Sequence, residues 1–233
     1  ALHLQGKFGE EWRESVELRK RFPQSRPAWV HLVRAAAAQG RTATIDSILT
    51  LAAPEAPDTY WSQGAVMVTA AEELEAHGFP DRAPTYYARA EQWLANQLTR
   101  NPTHEAHRYW MGSALYDQGK WADARPYFES LREESPDALR SRGPVALIEA
   151  RQGNLAKARA MLGEAEPFQE TEHLVFQARL AGIAGDTAAS LSYWQQAIGR
   201  GLSGMVWQHH SVRQDLAPLI GNPVAQRLSL VLK

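Results

Sequence analysis

Residues 106–136 read AHRYWMGSALYDQGKWADARPYFESLREESP. Two stretches of helical composition meet at Gln118-Gly119-Lys120 and end at Pro136. In the first stretch Tyr109, Met111, Ala114 and Leu115 are spaced for one buried face, and Gly112 marks a place where another helix can approach closely. The second is rich in Glu, Arg and Leu, which favour helix, and its closing proline cannot continue one. The unit is therefore helix, tight glycine turn, helix.

The same pattern recurs along the chain. Pro136 follows Gly119 by 17 residues, and Pro23 follows Gly6 by the same 17. Moving 34 residues on from Gly119, Ala124 and Leu131 gives Gly153, Ala158 and Ala165. Glycine turns are expected at Gly6, Gly40, Gly78, Gly119, Gly153 and Gly185, with spacings of 34, 38, 41, 34 and 32 residues. A fixed period of this length means stacked repeats. Pro84, Pro126 and Pro144 are expected within the first turns of their helices, where no intrahelical hydrogen bond is lost.

On these residues the chain resembles the tetratricopeptide repeat family, whose unit of about 34 residues carries a Leu-Gly pair, a turn glycine, Ala, an aromatic, Ala and a closing Pro. Met111-Gly112, Gly119, Ala124, Phe128, Leu131 and Pro136 fall on that template in order. The next unit keeps Gly153, Ala158, Leu162 and Ala165 but has Val145-Ala146 for the pair. The one after keeps Ala178, Gly185, Trp194 and Ala197, with Ser190 at the first small position. Nearer the N-terminus Trp29, Leu32, Gly40, Leu49 and Ala52 fit, while Ile45 replaces the small residue. The unit holding Ala71, Gly78, Ala83, Tyr87 and Ala90 is longer, so its helices are expected to be extended.

The resemblance implies an all-α, right-handed superhelix, a solenoid of stacked helical hairpins. Residues 1–23 form a half repeat, about five repeats follow to residue 201, and residues 202–233 form a helical cap, with short helices around Met205–His210 and Pro223–Val231. By alignment on Gly119, residues 1–5 are the last turn of a helix whose beginning lies upstream, which would leave Leu2, Leu4 and Phe8 on an exposed apolar edge. The tail is similar to those closing such arrays in larger bacterial regulators, either protein kinases or transcriptional activators.

Composition narrows the function. The 25 basic and 26 acidic residues are interspersed and give a formal charge of -1, which offers no phosphate-binding surface, so nucleic acid is not the expected partner. The absence of cysteine removes disulfides, thiolate metal sites and a Cys nucleophile. It fits either side of a bacterial inner membrane and does not choose the compartment, the cytoplasm being only slightly favoured. The longest apolar run, Ala35 to Ala38, is far short of the roughly 20 residues of a membrane helix, so no membrane insertion is expected.

In the family the first helix of each repeat lines a concave groove that receives peptides. Template counting places Val30, Arg34, Val68, Glu72, Glu75, Tyr109, Ser113, Tyr116, Asp117, Leu147, Arg151, Val175 and Arg179 there. Arg34, Glu72, Tyr109, Ser113, Tyr116, Asp117, Arg151, Val175 and Arg179 are the expected partner contacts. A protein or peptide is the expected partner, and a second copy of the chain is a further candidate. Chaperone-binding members clamp a terminal carboxylate with Lys, Asn and Arg; Tyr109, Trp110 and Ser113 stand at the matching positions, so that ligand is not expected. The implied function is a noncatalytic interaction scaffold, and the alternative is a regulatory or sensor region of a larger bacterial protein.

No residue pattern calls for catalysis, a cofactor or a metal. His104 and His107 have two residues between them where the zinc-protease helix has three, and they read as part of a solvated inter-repeat loop. His209 and His210 point to different faces of a helix. Glu72-Glu73 reads as an ordinary solvated acid pair, and the mixed charges of residues 131–142 as a solvated helix end and loop. Trp121 stands where a phosphate loop requires Ser or Thr. Most of the eight tryptophans are expected in inter-repeat packing.

Overall fold

The computed structural model of the chain describes residues 2–51, 60–164, 169–201 and 215–216. Among these residues every regular element is helical: α1 (Phe8–Arg21), α2 (Arg26–Ala37), α3 (Thr42–Leu51), α4 (Gln63–Ala76), α5 (Ala83–Arg100), α6 (Glu105–Asp117), α7 (Trp121–Glu134), α8 (Leu139–Arg151), α9 (Leu155–Leu162), α10 (Glu170–Ile183) and α11 (Thr187–Gly199). Short 3-10 turns lie at His3–Gln5 and Pro80–Arg82.

The turns form where the glycines demand them. Gly6, Gly40, Gly78, Gly119, Gly153 and Gly185 all have positive φ, between 64° and 88°, a conformation that costs a side chain but not glycine. Each turn stays wound on the helix before it, as when Gly119 N–H donates to the Tyr116 carbonyl at 2.9 Å and Gly153 N–H to the Ala150 carbonyl at 2.9 Å.

The periodic core follows from the same register. Five residues beyond the turn glycine stand Ile45, Ala83, Ala124, Ala158 and Ser190, all 0% exposed. Nine beyond stand Leu49, Tyr87, Phe128, Leu162 and Trp194, none above 3%. Ala83, Ala124, Ala158 and Ser190 are small and let the paired helices approach, Ile45 is the larger exception, and the large groups at the second position fill the space between the helices. Ser190 meets the burial of its hydroxyl by donating to the Ala178 carbonyl at 2.9 Å.

The chain divides into two compact units, Ala1–Gly119 and Lys120–Lys233. In the first, α2 packs on α1, α3 and α4, and α4 packs on α3, α5 and α6, with α5 also on α6. In the second, α8 packs on α7, α9 and α10, and α10 packs on α9 and α11. Within each unit the first helices of successive repeats thus form one row, flanked by the second helices. This is the nearest-neighbour arrangement of a solenoid.

The longer repeat takes up its extra length in the Pro80–Arg82 turn and the 18-residue α5. Pro84 lies in the first turn of α5, as its sequence position requires. Pro126 and Pro144 depart from expectation. They lie inside α7 and α8, which start at Trp121 and Leu139, so each proline withholds a helical N–H from the carbonyl four residues back. Both helices continue through them.

At the N-terminus the turn ending at Gly6 brings Phe8 edge-on to His3 and His77, with centroids 5.2 and 4.8 Å apart. Phe8 is half-buried there. The cap helices expected around Met205–His210 and Pro223–Val231, and His209, His210 and Trp207, lie outside the described residues. Within that segment Asp215 and Leu216 are described, and Leu216 is fully buried against Leu174, Val175, Ala178, Trp194 and Ala197. Among the described residues no helix is long and apolar enough to cross a membrane.

Candidate binding surface

The first-helix residues expected to meet a partner are more enclosed than the template implies. Arg34, Glu72, Tyr116, Asp117 and Val175 are at most 5% exposed and Arg179 is 9% exposed. Tyr109, Ser113 and Arg151 are half-buried and retain access to solvent. The reading of Glu72-Glu73 as a solvated pair is also corrected, because both carboxylates are buried.

The first unit carries an aromatic cluster where α4 and α6 begin. The Tyr60 ring lies 5.2 Å from Trp61, 5.4 Å from Trp110 and 6.1 Å from Tyr109. Trp61 and Trp110 are 5.6 Å apart. Trp110 is buried and donates its indole N–H to the Tyr60 carbonyl at 2.9 Å, which pins the chain just before α4. Ser62 then caps α4, its hydroxyl accepting from Ala65 N–H at 3.2 Å. Tyr60, 44% exposed, is thereby held outward on a fixed backbone beside half-buried Trp61 and Tyr109.

Further along α4 the buried polar groups fall into two sets. Burial pushes the Glu75 carboxyl up to about 7, a hydrogen bond from the Tyr87 hydroxyl at 3.0 Å opposes the rise, and the Glu72 charge adds to it. The Tyr87 phenol is itself pushed well up, by burial first and then by Asp117, Glu72 and Glu75. These three acids therefore act on one hydroxyl; template counting places all three along the groove, with Glu72 and Asp117 among the expected partner contacts.

The second set is an ion network. His3 Nδ1 lies 2.6 Å from Glu11 Oε2, and its Nε2 lies 3.0 Å from Glu73 Oε2. Arg34 Nε donates to Glu73 Oε1 at 2.6 Å. Burial alone would lower the His3 pKa, but its two carboxylate partners outweigh that and raise it. Burial likewise opposes ionisation of Glu73, yet His3 and Arg34 hold its carboxyl down at about 2. His77 joins through Nδ1, which donates to the Glu73 carbonyl at 2.8 Å.

His3, Glu73 and His77 place candidate ligand atoms within 4.8 Å of one another. Their contacts are those of the ion network, in which Arg34 already supplies a positive charge to Glu73. Sequence reading missed this cluster, although polar Glu11 and Ser15 at positions that are apolar in most other repeats signal it. His104 and His107 are placed differently from the expected loop. His104 caps α6 by accepting from His107 N–H at 3.3 Å, the two rings stack 3.8 Å apart, and His107 is buried. Burial, then the neighbouring His104, lowers the His107 pKa to about 4.

In the second unit the arginines of α8 and α10 share one carboxylate. Arg151 Nη2 donates to Asp215 Oδ1 at 2.5 Å and Arg179 Nε to Asp215 Oδ2 at 2.6 Å. Their guanidinium groups also lie over aromatic rings, Arg151 5.2 Å from Trp121 and Arg179 5.6 Å from Phe176. Nearby, Glu149 is held down at about 2 by Lys157, with Arg125 and Asn154 adding to the effect against its burial.

Residues 109–169 match the family model of the tetratricopeptide repeat. Repeats of this kind generally mediate protein–protein interaction and are non-catalytic scaffolds. A solved structure from the functional characterization of Pseudomonas aeruginosa pilF is similar to this chain at 17% identity, covering 84% of this chain and 85% of that one, with a TM-score of 0.45. The structure of Naa15/Naa10 bound to HypK-THB is similar at 13% identity, covering 99% of this chain and 34% of that one, with a TM-score of 0.38. No curated protein matches the chain.

Proposed function

We propose that this tetratricopeptide-repeat chain is a noncatalytic scaffold that binds a peptide or protein segment along its first-helix rows. In the first unit the contact centre is Tyr60, Trp61, Tyr109 and Ser113. The observation that carries this reading is the fixed and partly exposed aromatic cluster. Rigid aromatic rings provide large contact area with little side-chain ordering, and they dominate the energetics of protein interfaces. Buried Trp110 supports the cluster from beneath and is not itself a contact. Arg34, Glu72, Tyr116 and Asp117 set the shape and charge beneath the surface, and Arg151, Val175 and Arg179 form the corresponding region of the second unit.

A displayed random-peptide library selected on the immobilised full chain tests the proposal. Selected peptides should bind Tyr60→Ala/Tyr109→Ala at least about tenfold more weakly, the loss of one strong anchor. Circular dichroism should show the variant folded. Undiminished affinity in a folded double variant would remove the aromatic cluster as the contact centre, and a library that yields no binders would count against a peptide-binding scaffold.

A further inference from the structure

The face of α10 in the second unit is already filled by the chain itself. Val175, Ala178, Arg179 and Gly182 recur at the spacing of a single helix face. Asp215 lies against that face, 1% exposed, with one oxygen on Arg179 and the other on Arg151 of α8. Leu216, 0% exposed, enters the apolar cluster of Leu174, Val175, Ala178, Trp194 and Ala197. Gly182 makes the approach feasible, because a Cβ there would overlap the Asp215 carbonyl oxygen. The fit has three parts: a carboxylate between two arginines, a leucine in an apolar pocket, and a backbone carbonyl against a helix without a side chain.

We propose that this face is a recognition site for an acidic peptide bearing an Asp-Leu pair, and that Asp215-Leu216 occupies it in cis as a built-in competitor. The inference rests on the reading of the first-helix rows as peptide-binding surfaces, and it names the ligand chemistry of the second unit. Both guanidinium groups lie over rings of their own unit, so the arginines have supports besides the carboxylate. Arg151 keeps a side-chain exposure of 22%, which gives an incoming carboxylate a route to the pair. A partner segment with the same Asp-Leu chemistry gains these contacts by displacing the chain's own, and binding to the second unit is thereby gated.

A labelled peptide with the sequence of residues 211–221, SVRQDLAPLIG, tests the gate by fluorescence anisotropy on full-length protein. Asp215→Asn should bind it at least about tenfold more tightly than the unaltered chain, because the cis carboxylate no longer competes. The same peptide with Asn for its Asp should show no such gain, and adding Gly182→Ala to Asp215→Asn should abolish it. Equal affinity for the unaltered and Asp215→Asn chains, or indifference to the peptide's Asp, would overturn the proposal and leave Asp215-Leu216 as a permanent core element. Leu216→Ala, which keeps the carboxylate and removes the apolar anchor, provides a second opened variant and should also gain affinity. The peptide should raise the melting temperature of the opened variants and not that of the unaltered chain, a readout that holds even when they are destabilised. Loss of library peptides on Tyr60→Ala/Tyr109→Ala with no gain on Asp215→Asn would refute the gate alone. Library failure alongside a gain on Asp215→Asn would refute only the first-unit site.

Discussion

Arg34 and Arg179 stand at the same repeat position, six residues before Gly40 and Gly185, yet the two units neutralise them differently. In the first unit the carboxylate is Glu73 from the neighbouring first helix, supported by His3 and Glu11. In the second it is Asp215, which lies beyond the last hairpin. One device is built from residues of the repeats and the turn before them, while the other draws its carboxylate from beyond the last hairpin. Exposure follows the same division: the Arg34 side chain is 6% exposed, against 11% for Arg179 and 22% for Arg151.

The largest effect is expected from Glu73→Gln. It leaves Arg34 buried without its carboxylate and removes a partner of His3, so unfolding in urea should show a loss of about 3–5 kcal/mol. A loss under about 1 kcal/mol would mean that the network does not join the first-unit helices. Asp215→Asn should cost less, about 1–3 kcal/mol, because the arginines it leaves are nearer solvent. Hydrogen exchange should then quicken in α10 and α11 while α4 is unchanged; quickening in α4 would break the contrast between the units.

The next effect depends on pH. The Glu75 carboxyl is raised by burial from 4.5 to about 7, with Tyr87 and Glu72 facing it. Its neutral form is favoured in the folded chain, so stability present below pH 4.5 is lost as pH rises to 7. His3 acts in the same direction. Its pKa is raised above 6.5 among Glu11, Glu73 and Arg34, and its contribution is complete below 6.5 and lost above the raised value. Glu75→Gln should therefore be near neutral at about pH 4 and stabilising by about 1–2 kcal/mol at pH 8, read from melting curves across pH. A gain of the same size at both pH values would disconnect it from Glu75 ionisation.

The smallest effect is expected at Ser190. Ser190→Ala removes one hydrogen bond to the Ala178 carbonyl, but that carbonyl keeps its helical donor and alanine is the residue three other repeats use there. The change in unfolding free energy should stay within about 0.5 kcal/mol. A loss of 2 kcal/mol or more, roughly that of a buried polar group left unmatched, would show that the second unit tolerates its template residue poorly.

The fold was legible because its constraints are local. Glycine takes the φ values at the six turns without the cost a side chain would bring, and the residue five positions on must fit between two paired helices whatever else the repeat contains. Pro126 and Pro144 are each the sixth residue of a helix, α7 from Trp121 and α8 from Leu139, just beyond the first turn in which the sequence reading places them. The buried charges were not legible, since His3 and Glu73 are 70 residues apart and Arg151 and Asp215 are 64 apart. Template counting identifies the face a residue belongs to. It does not reveal that Asp215 covers Arg179, or that Tyr60, just before α4, stands further out than most of the helix positions it names.

Hydrogen exchange of the full chain with and without a library-selected peptide tests the central claim most directly. Binding along the first-helix row of the first unit predicts slowed exchange over residues 60–68 of the α4 start and residues 105–113 of α6. Protection confined to the second helices, α3 and α5, would contradict it.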